Sequence, residues 1–186
     1  MSELALPLAA TRLTLRAWAP SDRAAYLALH TDPVVGRYIP GLPESDNLAG
    51  ENFAALCARA PDPSEPIGAW LAIATREADE VVGTGGVLWR DEAHRQAEFG
   101  VLLLPGAAGQ GYATEAAQAL IDAAFSQLGA HRVSAELLAE NRSSARLCQR
   151  LGLRLEGLHL GTHLEGEQAY DSLTFAMVAA EWRQRR

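Results

Sequence analysis

The chain has 186 residues, 48% hydrophobic and 21% charged, enough for one domain with a sizeable core and too few for two large ones. Its net charge of −7 argues against non-specific nucleic-acid binding, which needs a basic surface, and leaves room for a cationic substrate. No apolar run reaches the ~20 residues of a membrane-spanning helix, so neither nucleic acid nor membrane is expected as a partner.

The opening "MSELALPLAATRLTLR" has no basic segment ahead of a long apolar core, which reads as no signal peptide and a cytoplasmic location. Within it, "TRLTLRAW" alternates, with Leu13 and Leu15 on one side and Thr14 and Arg16 on the other, and predicts a first strand. A short helix follows, capped by Ser21 or Asp22 and stopped by Pro33. Residues 40–66 are rich in Pro, Gly, Glu and Asp around one helical patch, "NLAGENFAALCARA", and are expected to line a substrate entrance. Three strands are then predicted over 68–76, 80–90 and 96–104; links this short make them an antiparallel meander. Residues 112–129 carry apolar side chains at helical spacing, with Gly129 as the C-terminal cap. A strand over 131–139 leads to a second helix over 141–152, capped by Asn141 and closed by Gly152. The rest reads as a closing hairpin. No repeat or linker interrupts the pattern, so residues 1–186 are expected to form a single α+β domain.

Cys57 and Cys148 make neither a disulfide framework nor a metal motif. Among the histidines only His159 and His163 are four apart, with no third ligand nearby, so no metal is expected.

The stretch "LLPGAAGQGYATEA" places a strand end, a proline, three glycines and a helix start in succession. That is the layout of an anion site. The first amides of a helix have no internal partner, and the helix dipole adds partial positive charge. A Walker loop is excluded because "GQGYAT" lacks lysine. A dinucleotide fingerprint fits poorly, since the third glycine is a threonine and antiparallel strands precede the loop. A plain strand-to-helix turn remains open on spacing alone.

The phrases "AEFGVLLLPGAAGQGYATEAAQALIDAAF" and "HRVSAELLAENRSSARLCQRLGLRLEG", with the earlier "TRLTLRAW" and the later "YDSLTFA", resemble the GNAT acyltransferase superfamily. They are closest in order to the branch of ribosomal-protein alanine N-acetyltransferases. The resemblance spans residues 11 to 182. It implies a GNAT fold, with a mixed, mostly antiparallel sheet of about seven strands flanked by helices. It also implies acetyl-CoA as cosubstrate and a primary amine as acceptor, either a protein N-terminal α-amine or a small molecule, attacked directly in a ternary complex. Leu102 and Leu103 would pair with the pantetheine arm. The amides of Gly109, Gln110, Gly111, Tyr112 and Ala113 would hold the pyrophosphate, and Asn141 would contact the cofactor arm. Gly106 stands where relatives often carry Gln or Arg, Cys148 where many carry a tyrosine acid, and Leu153 where Phe is usual.

Amine acetylation needs a deprotonated amine, donors for the oxyanion and a proton for the leaving thiolate. Glu98, the family's "AEFG" glutamate, is a candidate base and otherwise a solvent-facing strand residue. His163, on the closing hairpin, is the second candidate base and otherwise a surface histidine. Ser144 is the candidate acid and otherwise a member of the helix cap. The oxyanion donors would be backbone amides near Leu103. A thioester on Cys148 ranks below direct attack, because a buried helical thiol is more often a small hydrophobe. Arg142, Arg146 and Arg150 form a stripe read as a solvated face or a contact for the cofactor's 3′-phosphate. Trp18, Trp70, Trp89 and Trp182 read as core or rim residues, and Tyr38 and Trp89 are also candidate walls of an acceptor pocket. The rival readings are a catalytically silent CoA-binding module and a nucleotide-binding oxidoreductase. As a partner of itself the chain reads as monomer or homodimer.

Overall fold

The computed structural model describes residues 4–39, 41–58 and 70–185. In chain order the strands are β1 (Leu8–Ala9), β2 (Leu13–Arg16), β3 (Leu71–Thr75), β4 (Val81–Asp91), β5 (Gln96–Leu103), β6 (Arg132–Leu138), β7 (Arg154–Glu165) and β8 (Gln168–Val178). The helices are α1 (Arg23–Thr31), α2 (Pro33–Gly36), α3 (Asp46–Ala58), α4 (Tyr112–Ser126), α5 (Arg142–Arg150) and α6 (Ala179–Gln184). Among the described residues the strands form one eight-stranded sheet in the order β1-β2-β3-β4-β5-β6-β8-β7. Every neighbouring pair is antiparallel except β5 and β6. The strand beyond the expected seven is β1, two residues on the edge of β2, too short for alternation to reveal.

The predicted meander is β3, β4 and β5. Residues 59–69, which include the start of the predicted 68–76 strand and the end of the 40–66 segment, lie outside the described residues. Leu71 and Ile73 of β3 join the main core with Leu13, Leu15, Val87, Phe99 and the apolar face of α4. Ala72 and Ala74 point the other way, against Ala25 and Trp18. Small residues on that face let α1 lie close to the sheet, and Trp18, Tyr26 and Phe53 fill the space between α1, α3 and β2.

Two local elements differ from the expectation. Pro33 does not only stop α1. It opens α2 at the position where a missing N–H costs nothing, with Asp32 accepting from Val34 N–H at 2.6 Å. Asp22 stands before α1 but its side chain does not cap it. The carboxylate instead takes the Arg16 guanidinium at 2.7 Å and the Ala19 N–H at 2.8 Å, because an ion pair is stronger than a neutral cap. Gly129 does turn the chain out of α4: at φ +68° it lets Ala130 N–H reach back to Ala124 O at 3.0 Å.

Candidate active site

The parallel pair β5 and β6 creates the site. Their ladder covers only Gln96↔Arg132, Ala97↔Val133 and Glu98↔Ser134. Beyond Glu98 the two strands separate, β5 remaining on β4 and β6 on β8. At the carboxyl ends of these strands stand two helix N-termini, that of α4 after β5 and that of α5 after β6. Open α/β sheets bind ligands at such a place, outside the carboxyl ends of parallel strands that diverge.

The edge of β5 facing this gap follows from ladder alternation. Leu104 N–H donates to Val82 O, so backbone groups of Leu102 turn toward β4 and those of Val101 and Leu103 toward the gap. Of the two residues expected to pair with an extended ligand, Leu103 is on the free edge. Leu102 is on the paired one, and Val101 takes its place.

The glycine loop closes one end of the gap. Gly109 has φ +78° and Gly111 φ +84°, a region that glycine enters without steric cost. A Cβ on Gly109 would meet nothing within 4 Å, so the space in front of it is open. The first helical bond is Glu115 N–H to Gly111 O. Among the described residues, nothing accepts from the amides of Gly109, Gln110, Gly111, Tyr112 or Ala113. No side chain of the loop supplies a cation; the Gln110 amide turns inward and donates to Gly106 O at 3.0 Å. The brace comes from the other end of the sheet. Arg12 pairs with Glu115 at 2.9 Å, donates to Gln110 O at 3.1 Å and lies 4.7 Å over the Tyr112 ring. Sequence reading missed Arg12.

Asn141 caps α5 as expected, its Oδ1 accepting from Ser144 N–H at 3.1 Å. Ser144 is half-buried in the first turn, and its hydroxyl has no partner among the described residues. It therefore keeps a donor at the gap end of α5.

The opposite face of the sheet carries the titratable groups. Ala97 and Phe99 are buried beneath α4, which turns Glu98 and Gly100 the other way. Trp70 lies over Gly100, where a Cβ would come within 2.6 Å of its Cη2. Both Glu98 oxygens are held by Arg90, at 2.7 and 2.8 Å, and this carboxylate raises the Arg90 pKa. On β6, Glu136 accepts from the Ser172 hydroxyl at 2.8 Å and stands 3.7 Å from His163 Nε2. Glu136 also acts on Arg90 through its charge. The structure thus brings Glu98 and His163, some 65 positions apart in sequence, onto one face, linked through Arg90 and Glu136. The alternation of "HRVSAELLA" marks Glu136 as polar-face, a signal not followed in the sequence reading.

Other expectations resolve differently. Cys148 is 2% exposed, and burial pushes its thiol up to about 11, so it is a core side chain rather than a nucleophile. Trp89 packs against the α4 core, on the face away from Glu98, and is not a pocket wall there. Tyr38 stacks beneath Arg37 at 5.2 Å. Arg142, Arg146 and Arg150 are exposed.

Comparison with known proteins agrees with this geometry. The family model described as an acetyltransferase (GNAT) domain matches residues 12–154. The uncharacterized N-acetyltransferase p20 of Bacillus licheniformis is 30% identical over 172 residues, covering 92% of this chain and 95% of that protein. Among solved structures, a GNAT-family acetyltransferase from Bacillus anthracis superimposes with TM-score 0.83 at 24% identity, covering 95% of this chain and all of that one. The spermidine N-acetyltransferase of Vibrio cholerae, crystallised with CoA and spermine, gives TM-score 0.76 at 20% identity, covering 92% and 98%. These two likenesses establish the fold. A nucleotide-binding oxidoreductase is overturned, because the glycine loop follows an antiparallel meander rather than opening a parallel doubly wound sheet. The chain belongs to the GNAT acetyltransferase family, whose chemistry is acyl transfer from acetyl-CoA.

Proposed function

We propose that the chain, as one domain over residues 1–186, transfers the acetyl group of acetyl-CoA to a primary amine by direct attack in a ternary complex. The observation that carries this is the parting of β5 from β6 at Glu98 and Ser134, with open helix amides at one end and an acid–imidazole group on one face. The pyrophosphate lies on the amides of Gly109 to Ala113. The pantetheine arm runs along the free edge at Val101 and Leu103, and Asn141 contacts it from α5. No metal is needed for this chemistry.

An α-amine (pKa about 8) or a lysine amine (about 10.4) is mostly protonated at neutral pH, so the site must remove a proton before attack. Glu98 and His163 are the two bases. Arg90 engages both oxygens of Glu98, which favours His163 for proton removal and leaves Glu98 to shape the field around the ammonium. The amine nitrogen then attacks the thioester carbon, and the oxyanion is held by an amide near Leu103. As the C–S bond breaks, the Ser144 hydroxyl passes a proton to the thiolate and regains one from the acetylated nitrogen, which sheds its second proton.

The acceptor is a protein N-terminal α-amine or a small-molecule amine; spermine in the Vibrio cholerae complex belongs to that protein. The net charge of −7 suits a cationic acceptor in either class. We place the protein in the cytoplasm as a monomer or homodimer; no helix among the described residues is long and apolar enough to cross a membrane. The test is calorimetry with acetyl-CoA, then CoA release across a panel of N-terminal peptides, polyamines and amino acids. Heat of binding and turnover with a member of the panel are expected. Binding without turnover identifies a silent module, and no heat with acetyl-CoA overturns the reading.

A further inference from the structure

We propose that Glu136 is a positioning residue for this reaction: anchored by Ser172, it holds the His163 imidazole toward β6, the strand that borders the gap, and offsets the positive charge when His163 takes the amine's proton. The inference rests on the reading of His163 as base.

Three strands converge to build the arrangement. Glu136 is on β6, two residues past the last β5–β6 pair, on the same face as Ser134 and Glu98. Ser172 sits on β8 and is fully buried; its hydroxyl donates to Glu136 Oε1 at 2.8 Å. That bond fixes the carboxylate on a rigid central strand, where sheet pairing on the β8 side runs unbroken from Arg132↔Val178 to Leu138↔Ser172. The same Oε1 lies 3.7 Å from His163 Nε2, which reaches across β8 from the edge strand β7. The segment of β7 before His163 is irregular, with a register shift between His159 and His163 and Gly161 at φ +62°. The regular ladder resumes at His163, opposite Tyr170, so its backbone is placed by β8 while its imidazole faces Glu136, its one charged partner among the described residues. His159, four residues earlier, is turned to Thr174 instead, at 3.0 Å.

The charge balance points the same way. Arg90 already neutralises Glu98. Glu136 is the carboxylate of this face whose near neighbour is a neutral-capable base. His163 takes one proton from the ammonium, so the imidazolium stands beside Glu136 while the neutral amine forms its bond to the acetyl carbon; the electron pair of the C–S bond leaves with the sulfur, which takes the second proton shed by the nitrogen through the Ser144 hydroxyl. A carboxylate at that position stabilises the charged product of the step more than the ground state, which raises kcat rather than tightening binding.

The experiment is steady-state kinetics on the full chain, with acetyl-CoA and the fastest acceptor of the amine panel, together with acetyl-CoA calorimetry. In Glu136→Gln, kcat is expected to fall by tenfold or more, inside the ~10²–10⁴-fold that a positioned base supplies, with acetyl-CoA affinity unchanged. Glu136→Asp recovers part of the loss, and Ser172→Ala shows a smaller one. In a His163→Ala background, Glu136→Gln costs nothing further, because the residue acts through the imidazole. A full kcat in Glu136→Gln, or an equal loss in both backgrounds, overturns the inference while the acetyltransferase reading stands. Full activity in His163→Ala overturns the base assignment and this inference with it. No turnover by the unmodified chain removes both this inference and the function on which it rests.

Discussion

At residue scale, Gly111 carries the cofactor argument. It is the N-cap of α4 with φ +84°, and a Cβ there would lie 3.4 Å from Arg12 Nη2, an ordinary contact. The protein itself therefore has room for a side chain, and two other costs decide the outcome. One is left-handed backbone, about 1–2 kcal/mol for an L-residue. The other is loss of close approach by a phosphate to the amides on either side. Gly111→Val is expected to weaken acetyl-CoA binding by at least tenfold in calorimetry, roughly the 1.4 kcal/mol that a tenfold change represents. Unchanged affinity would remove the loop from the cofactor site. Cys148 gives the opposite expectation. Its thiol is 2% exposed and held near 11, so almost none of it is thiolate at neutral pH. Cys148→Ala should keep kcat within about twofold while lowering stability by roughly 1–2 kcal/mol through the lost sulfur contacts. Loss of turnover in a folded Cys148→Ala protein would reopen an acyl-cysteine route.

At the scale of elements, the glycine loop is tied to the segment that opens β2. Arg12 stands just before that strand and ties the first turn of α4 to the start of the sheet, through Glu115, Gln110 O and the Tyr112 ring. Arg12 is half exposed, so its ion pair adds little to global stability. Its effect should appear in preorganisation. Arg12→Ala is expected to raise the acetyl-CoA Kd several-fold with a Tm change of no more than a few degrees; an unaltered Kd would mean that the loop holds its shape alone. This bond also shows where sequence reading ends. Strand alternation, helical spacing and the Asn141 cap are local, and they placed the meander, α4 and α5 near their observed bounds. The pairs Arg12–Glu115, Arg90–Glu98 and Glu136–His163 depend on strand order. No local pattern encodes that β8 inserts between β6 and β7, or that β5 and β6 pair over three residues only. Of the two readings of Trp89, core or rim residue and pocket wall, the core one holds, because its face is set by the β4 register opposite Ala97, which spacing does not fix.

At the scale of the whole molecule, acid should unfold the protein in two stages, because two kinds of titratable group favour the folded state, a buried neutral imidazole and carboxylates paired with arginine. His30 packs flat on Tyr26 at 4.0 Å, and its Nδ1 is buried without a hydrogen bond among the described residues. Burial lowers its pKa, with Glu44 opposing. A histidine with a depressed folded pKa contributes stability above the unfolded value, about 6.5. That stability is lost as pH falls from there through the folded pKa. The second stage involves carboxylates. Asp22 is lowered chiefly by its bond to Arg16, and Glu156 chiefly by its bond to Arg132. Their stability is present above the ordinary carboxylate range and is lost as pH falls below it through the folded values. Arg16 joins β2 to Asp22 and also to Asp79 in the β3–β4 turn, so this stage loosens the α1 side of the sheet. Arg16→Ala leaves the buried Asp22 unpaired and is expected to cost about 1.5–3 kcal/mol at pH 7, at about 2–4 °C of Tm per kcal/mol for a chain of this size. The cost should shrink toward pH 3, where Asp22 becomes protonated without its partner. His30→Phe keeps the ring stack and removes the proton uptake. Its Tm should therefore fall less than that of the unmodified chain between pH 7 and 5.5, and in parallel with it below pH 4.5. Equal slopes above pH 5.5 would show that His30 gives no part of the first stage.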